Sequence, residues 1–234
     1  MNPRISRRAF VALGIGGGTG AAHGAGSPNS SSEAKFAPEL FFADPIPNGF
    51  TWTLASRLGD MLHLAEELFG PRDKSFTILG VEIGPDVPRL WYPGNRGSVV
   101  VQLAPSAAVG MSRACYQLAH EAVHLLAPNG GGSAVNLEEG VACYFAERYM
   151  RTQFAEPHWR PELPSYVRAL SLVRARLDQD ARCVRRLRDK SMSFAGIADG
   201  DLSREFPDLD PAARRFLLSS FVRDEAGKPP ASSK

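Results

Sequence analysis

His120-Glu121-Ala122-Val123-His124 constrains this chain more than any other stretch. On a helix the two histidines lie one turn apart and project from the same face, so both imidazoles reach one ion while Glu121 points beside them. The flanks support a helix. Ala114, Leu118, Val123 and Leu126 recur mainly at spacings of three or four, and Pro128 followed by Gly130, Gly131 and Gly132 brings the pattern to a stop.

The residue types carry the chemistry. Imidazole nitrogen and carboxylate oxygen suit zinc, and a catalytic zinc takes three protein ligands so that the fourth position holds water. Glu139, within Asn136-Leu137-Glu138-Glu139-Gly140, completes a set with His120 and His124 for one Zn2+ per chain. Glu121, beside the ion, is placed to take a proton from that water as it attacks a carbonyl, which makes it the general base. Two plainer readings compete. The histidines can be ordinary residues of a helix, and Asn136-x-x-Glu139 has the form of a capping box in which Glu139 only caps its own helix. Gly140 has no side chain to obstruct a close approach of Glu139 to a metal. Glu138 stands about 100° further round the helix, so only Glu139 is expected to touch the ion.

H-E-x-x-H followed by L-E-E-G-V-A-x-Y-F resembles the gluzincins, the zinc metallopeptidases related to thermolysin and aminopeptidase N, and especially the peptidase MA-like proteins. The resemblance covers about residues 110 to 150. It implies zinc bound by His120, His124 and Glu139, with Glu121 as the base, and a peptide or protein substrate. Two departures stand out: the interval from His124 to Glu139 is shorter than in the best-known members, and Leu137 replaces the usual aromatic. The metzincin pattern is disfavoured, because Ala127 and Gly130 occupy positions where it requires glycine and histidine.

Composition fits one domain. With 234 residues, 44% of them hydrophobic and 22% charged, the chain can bury a sizeable core. A formal charge of +2 gives no strong pull toward nucleic acid, and no phosphate-cradling glycine motif is present. No run of eighteen apolar residues suggests a membrane span. Residues 1–27 read as a signal peptide: Ser6-Arg7-Arg8-Ala9-Phe10-Val11 resembles a twin-arginine export signal, followed by a modestly apolar stretch and small residues. A periplasmic or secreted bacterial protein is expected, with a polar linker over 28–35, a catalytic domain over 36–223 and a disordered tail over 224–234.

Within that domain, Thr51 to Phe69 has helical periodicity, and His63 in it lacks partners at ligand spacing, so it is read as a surface residue. Phe76 to Ile83 and Arg89 to Leu103 are expected as strands of a small antiparallel sheet, with a hairpin loop over 93–97. Val99 to Leu103 is chosen as the edge strand for extended peptide, against the equal claim of an ordinary half-buried strand. Leu137 to Gln153 is the ligand helix. Tyr144, Tyr149 and His158 are weighed as oxyanion stabilisers, but aromatic stripes at helical spacing more often belong to cores. Helices are expected from Leu163 to Leu177 and after Asp210-Pro211, with the basic run Arg182, Arg185, Arg186, Arg188 and Lys190 forming a solvated face. Cys115 and Cys143 fall on the two helices that build the site, and a bridge between them is as open as its absence.

These features together predict an α+β, zincin-like body: a small sheet, then an active-site helix, then a mainly helical half. The expected activity is zinc-dependent amide hydrolysis. The alternative is a catalytically inactive zincin-like metal-binding or interaction protein, against which the intact Glu121 argues.

Overall fold

The computed structural model describes residues 37–94 and 97–224. The signal and linker expected over 1–35, and the tail expected over 224–234 except for Asp224, lie outside the described residues; Asp224 is described, and its carboxylate accepts from the Ser165 N–H. The first helix, α1 (Leu54–Phe69), begins where Ser56 Oγ accepts from the Thr53 amide at 3.1 Å. Leu54, Leu58, Met61, Ala65 and Phe69 are its buried stripe, while His63 is exposed as expected. Gly70, at φ +93°, ends it in a conformation that favours glycine. Two-residue strands β1 (Pro45–Ile46) and β2 (Gly49–Phe50) pair antiparallel before α1. They are too short to leave a periodic signal.

The main sheet has strands β3 (Thr77–Ile83), β4 (Arg89–Trp91) and β5 (Ser98–Leu103), ordered β3-β5-β4. β5 runs antiparallel to β4, as the hairpin loop predicts, but parallel to β3. The sheet is therefore mixed, not antiparallel. The expectation that Val99 to Leu103 forms an edge is also overturned, because β5 lies in the middle. Its pattern explains why: Val99, Val101 and Leu103 are fully buried on one face, and the most apolar strand goes where both of its edges are paired. Among the described residues the open edges belong to β3 and β4.

Behind the sheet lies α2 (Met111–His124), followed by α3 (Asn136–Gln153), α4 (Pro164–Asp180), α5 (Cys183–Arg188), α6 (Asp199–Glu205) and α7 (Pro211–Leu218). The α+β class stands. Helix α1 packs on α2, α2 on α3, and α3 on α4, so α3 is covered on almost every face. Among the described residues no helix is long and apolar enough to cross a membrane. Cys115, Cys143 and Cys183 are all buried and free.

The basic run divides in a way its charges do not reveal. Arg186 meets Asp180 at 2.8 Å and Glu205 at 2.6 Å, and Lys190 meets Asp201 at 2.6 Å. Arg188 does not join that solvated face. Its guanidinium turns inward and donates to Phe69 O, Gly70 O, Pro71 O and Leu126 O at 2.8–3.2 Å. It thereby satisfies carbonyls left over at the end of α1 and just past α2. Burial pulls its pKa down to about 10, so it stays charged at neutral pH.

Gly140 is used differently from the sequence expectation. A Cβ there would sit 2.7 Å from Ala169 O and 3.1 Å from Val173 Cγ2, so its missing side chain lets α3 close on α4 rather than on a metal. Gly140→Ala gains about 1 kcal/mol of helix propensity. It meets a backbone atom that cannot swing aside, and overpacking of that kind costs about 1–3 kcal/mol. A net loss of stability is the expected outcome, read as a lower urea midpoint with an unchanged slope.

Candidate metal centre

The last turn of α2 and the first turn of α3 face each other. Helix α3 starts after Val135, and Asn136 is its first helical residue rather than its cap. The Asn136 amide group instead donates to Phe216 O and Ser219 O, both at 3.0 Å, pinning α3 to the end of α7. The capping-box reading therefore fails. Glu139 is left to turn toward the histidines.

His120 Nε2 lies 3.1 Å from Glu139 Oε2 and 3.3 Å from His124 Nε2, and His124 Nε2 lies 3.6 Å from Glu139 Oε2. These three atoms form a nearly equilateral triangle. Tetrahedral coordination with bonds of about 2.0–2.1 Å requires ligand atoms roughly 3.3 Å apart, the spacing seen here. His120, His124 and Glu139 are a group that can hold a metal ion.

Charge gives an independent argument. Glu121, Glu138 and Glu139 are buried, at 4%, 7% and 7% exposed. None of them forms an ion pair with lysine or arginine among the described residues; Glu138 and Glu139 meet the two histidines instead, and Arg188 acts on Glu138 only at a distance. Three buried carboxylates beside two imidazoles are costly, and a divalent ion held at the triangle would supply further positive charge.

The second nitrogen of each ring is also engaged. Glu138 Oε1 lies 2.7 Å from His124 Nδ1, and Cys143 Sγ lies 3.8 Å from His120 Nδ1. A hydrogen on Nδ1 directs the Nε2 lone pair of each ring into the triangle. Glu138, one helical step from Glu139, is thus a positioning residue that the sequence reading passed over. Burial drives the Cys143 thiol well above its ordinary pKa, with Glu139 adding to the effect, so it stays protonated.

Burial opposes ionisation of Glu139, but the adjacent His124 and His120 outweigh it and hold its carboxyl well below the usual carboxylate range. Burial likewise disfavours the His124 imidazolium, and Glu139 and then Glu138 reverse that, raising it well above the usual value. Glu121 goes the other way. Burial raises it, with His124 and His120 only partly opposing, and its side chain accepts no hydrogen bond among the described residues.

Two clefts meet at this point. The narrower, of about 240 Å³, is bordered by β4 residues Arg89 and Leu90, by Tyr92, and by Gly131 and Gly132. The wider, of about 590 Å³, runs toward Trp159 and Arg160. His120, Glu121 and Tyr166 line both. The Tyr166 ring stands edge-on to His120, with centroids 5.6 Å apart. Nothing near Tyr166 in sequence marks it, since it arrives from the start of α4. Tyr144 and Tyr149 are absent from the site: their hydroxyls donate to Leu177 O and Asp60 Oδ2. His158 is exposed and lines neither cleft. The core reading of the two tyrosines holds. Comparison with protein-family models, curated proteins and solved structures finds no match.

Replacing either His120 or Glu139 with Ala is expected to abolish retention of bound metal through dialysis, read by elemental analysis. Glu138→Gln should keep the metal but weaken its affinity by about 10- to 100-fold, as loss of an outer carboxylate does. Competition with a chromophoric chelator measures this.

Proposed function

We propose that this protein is an exported zinc-dependent hydrolase of gluzincin type that cleaves peptide amides. The supporting observation is the triangle of His120 Nε2, His124 Nε2 and Glu139 Oε2, with edges of 3.1–3.6 Å matching a tetrahedral zinc site. Bound zinc supplies a water of lowered pKa and polarises the substrate carbonyl. The remaining work falls to the chain itself.

Glu121 accepts the proton given up by the attacking water and returns it to the departing amine. Its burial, its place at the junction of both clefts and the lack of a side-chain hydrogen-bond partner among the described residues suit a group kept for a reacting molecule. A protein that only bound metal would not need it. Tyr166 is the oxyanion stabiliser in this reading, because its ring flanks His120 and lines both clefts. Glu138 fixes the His124 ring. The open edge of β4 beside the narrower cleft suits an extended peptide bound by main-chain hydrogen bonds, the part that the sequence reading gave to Val99–Leu103. The twin-arginine-like segment at Ser6 to Val11 supports work outside the cytoplasm.

Zinc-loaded wild type should cleave members of a quenched fluorescent peptide library. Glu121→Gln is expected to retain zinc and lose about 10²–10⁴-fold in kcat. Tyr166→Phe should lose about 10²–10³-fold with KM little changed. Full zinc binding with no turnover of any peptide would favour the inactive metal-binding alternative.

A further inference from the structure

The wider cleft carries a charge pattern that zinc chemistry does not use. Arg113, Arg160 and Arg223 line it, against Asp86 and Glu162 besides the buried Glu121. Asp86 is already taken by Arg89 at 3.3 Å. Arg160 is occupied too, donating to Pro157 O and Trp159 O at 2.7 and 2.6 Å and lying 3.7 Å from Glu147. Arg113 and Arg223 differ. Neither forms an ion pair among the described residues, and each guanidinium rests on an aromatic face: Arg113 on Trp159 at 5.6 Å and Arg223 on Tyr166 at 5.9 Å.

Those faces are held in place. Trp159 stacks on Tyr116 with centroids 5.1 Å apart and donates to Glu156, which also accepts from Ser112 at 2.8 Å. Tyr166 packs on Phe221 at 4.7 Å and on His120. A guanidinium stacked on a ring keeps its N–H fork free for a planar anion, which is how arginine recognises carboxylate. The wider cleft thus has two cations with no ion-pair partner among the described residues, in a space that His120 and Glu121 also line.

We propose that this cleft is the specificity pocket of the site and receives a carboxylate carried by the substrate, with Arg113 and Arg223 as its receptors. The proposal rests on the hydrolase reading for its use in catalysis, but the anion selectivity stands by itself. A carboxylate can come from two places on a peptide: a free C-terminus just past the cleaved bond, or an acidic side chain next to it.

The test uses the full-length, zinc-loaded protein carrying Glu121→Gln, so that probes bind without being cleaved. Three probes are titrated calorimetrically: acetyl-Ala-Ala-Ala with a free carboxylate, its C-terminal amide, and acetyl-Ala-Glu-Ala-amide. At least one carboxylate probe is expected to bind about tenfold more tightly than the neutral amide, with the margin shrinking as salt is raised. Preference for the first assigns the pocket to a C-terminus, and preference for the third to an acidic side chain. Adding Arg113→Gln and Arg223→Gln together should erase the margin while leaving the affinity for the neutral amide within about twofold. Equal binding of all three, a margin that survives both substitutions, or no binding of any probe would overturn the proposal. Wild-type turnover separates it from the reading it builds on. An arginine-dependent margin without cleavage keeps the pocket and removes the hydrolase, whereas cleavage without a margin does the reverse.

Discussion

Glu121, Glu138 and Glu139 converge between α2 and α3 with two imidazoles beside them and, among the described residues, no lysine or arginine in an ion pair with them. Carboxylates placed in this way repel one another and lose hydration, so the helices that carry them have to be held together by other means. Much of the surrounding structure can be understood as that restraint. Gly140 lets α4 press against the back of α3, and Arg188 ties the end of α1 to the chain just past α2. Asn136 anchors the first turn of α3 to the end of α7. None of these residues belongs to the group that could hold a metal, yet each fixes an element from which a site residue projects.

The parts of the fold legible in sequence are those that depend on local periodicity. The buried stripe of α1, the alternation of Val99, Val101 and Leu103, and the placement of His120 and His124 on one helix face follow from residue spacing alone. Sheet order does not. A strand's own alternation is the same whether its neighbours lie on one side or both, and for that reason β5 reads as an edge when it is the centre.

The site divides along the same line. His120, His124 and Glu139 were legible as a group that could hold a metal because such a group demands fixed residue types at short spacings. Glu138 lay in view, but its hydrogen bond to His124 depends on the angle at which α3 crosses α2. Arg188 looked like any other charge in a basic run, since burial of a guanidinium is decided by carbonyls that arrive from distant segments. Tyr166 was invisible for a related reason: it reaches His120 only after α4 folds back over α3. Asn136 had the right residue type for a cap and a different partner available in α7, and the partner with three acceptors nearby prevailed.

The link between α3 and α7 sets an order of events. Besides the Asn136 amide group, the Asn136 N–H donates to Ser219 O and the Phe221 N–H to Ala134 O, so a short β-like bridge precedes the turn that carries Glu138 and Glu139. During synthesis both histidines and both glutamates leave the ribosome long before Ser219 does. Until that segment arrives, the glutamate turn lacks these hydrogen bonds at its N-terminal end, and His120, His124 and Glu139 are present without the anchor that fixes their geometry. Assembly of the group that could hold a metal thereby waits on the Ser219–Phe221 segment, and a chain cut short near Asp210 lacks that anchor even though its H-E-x-x-H segment is intact.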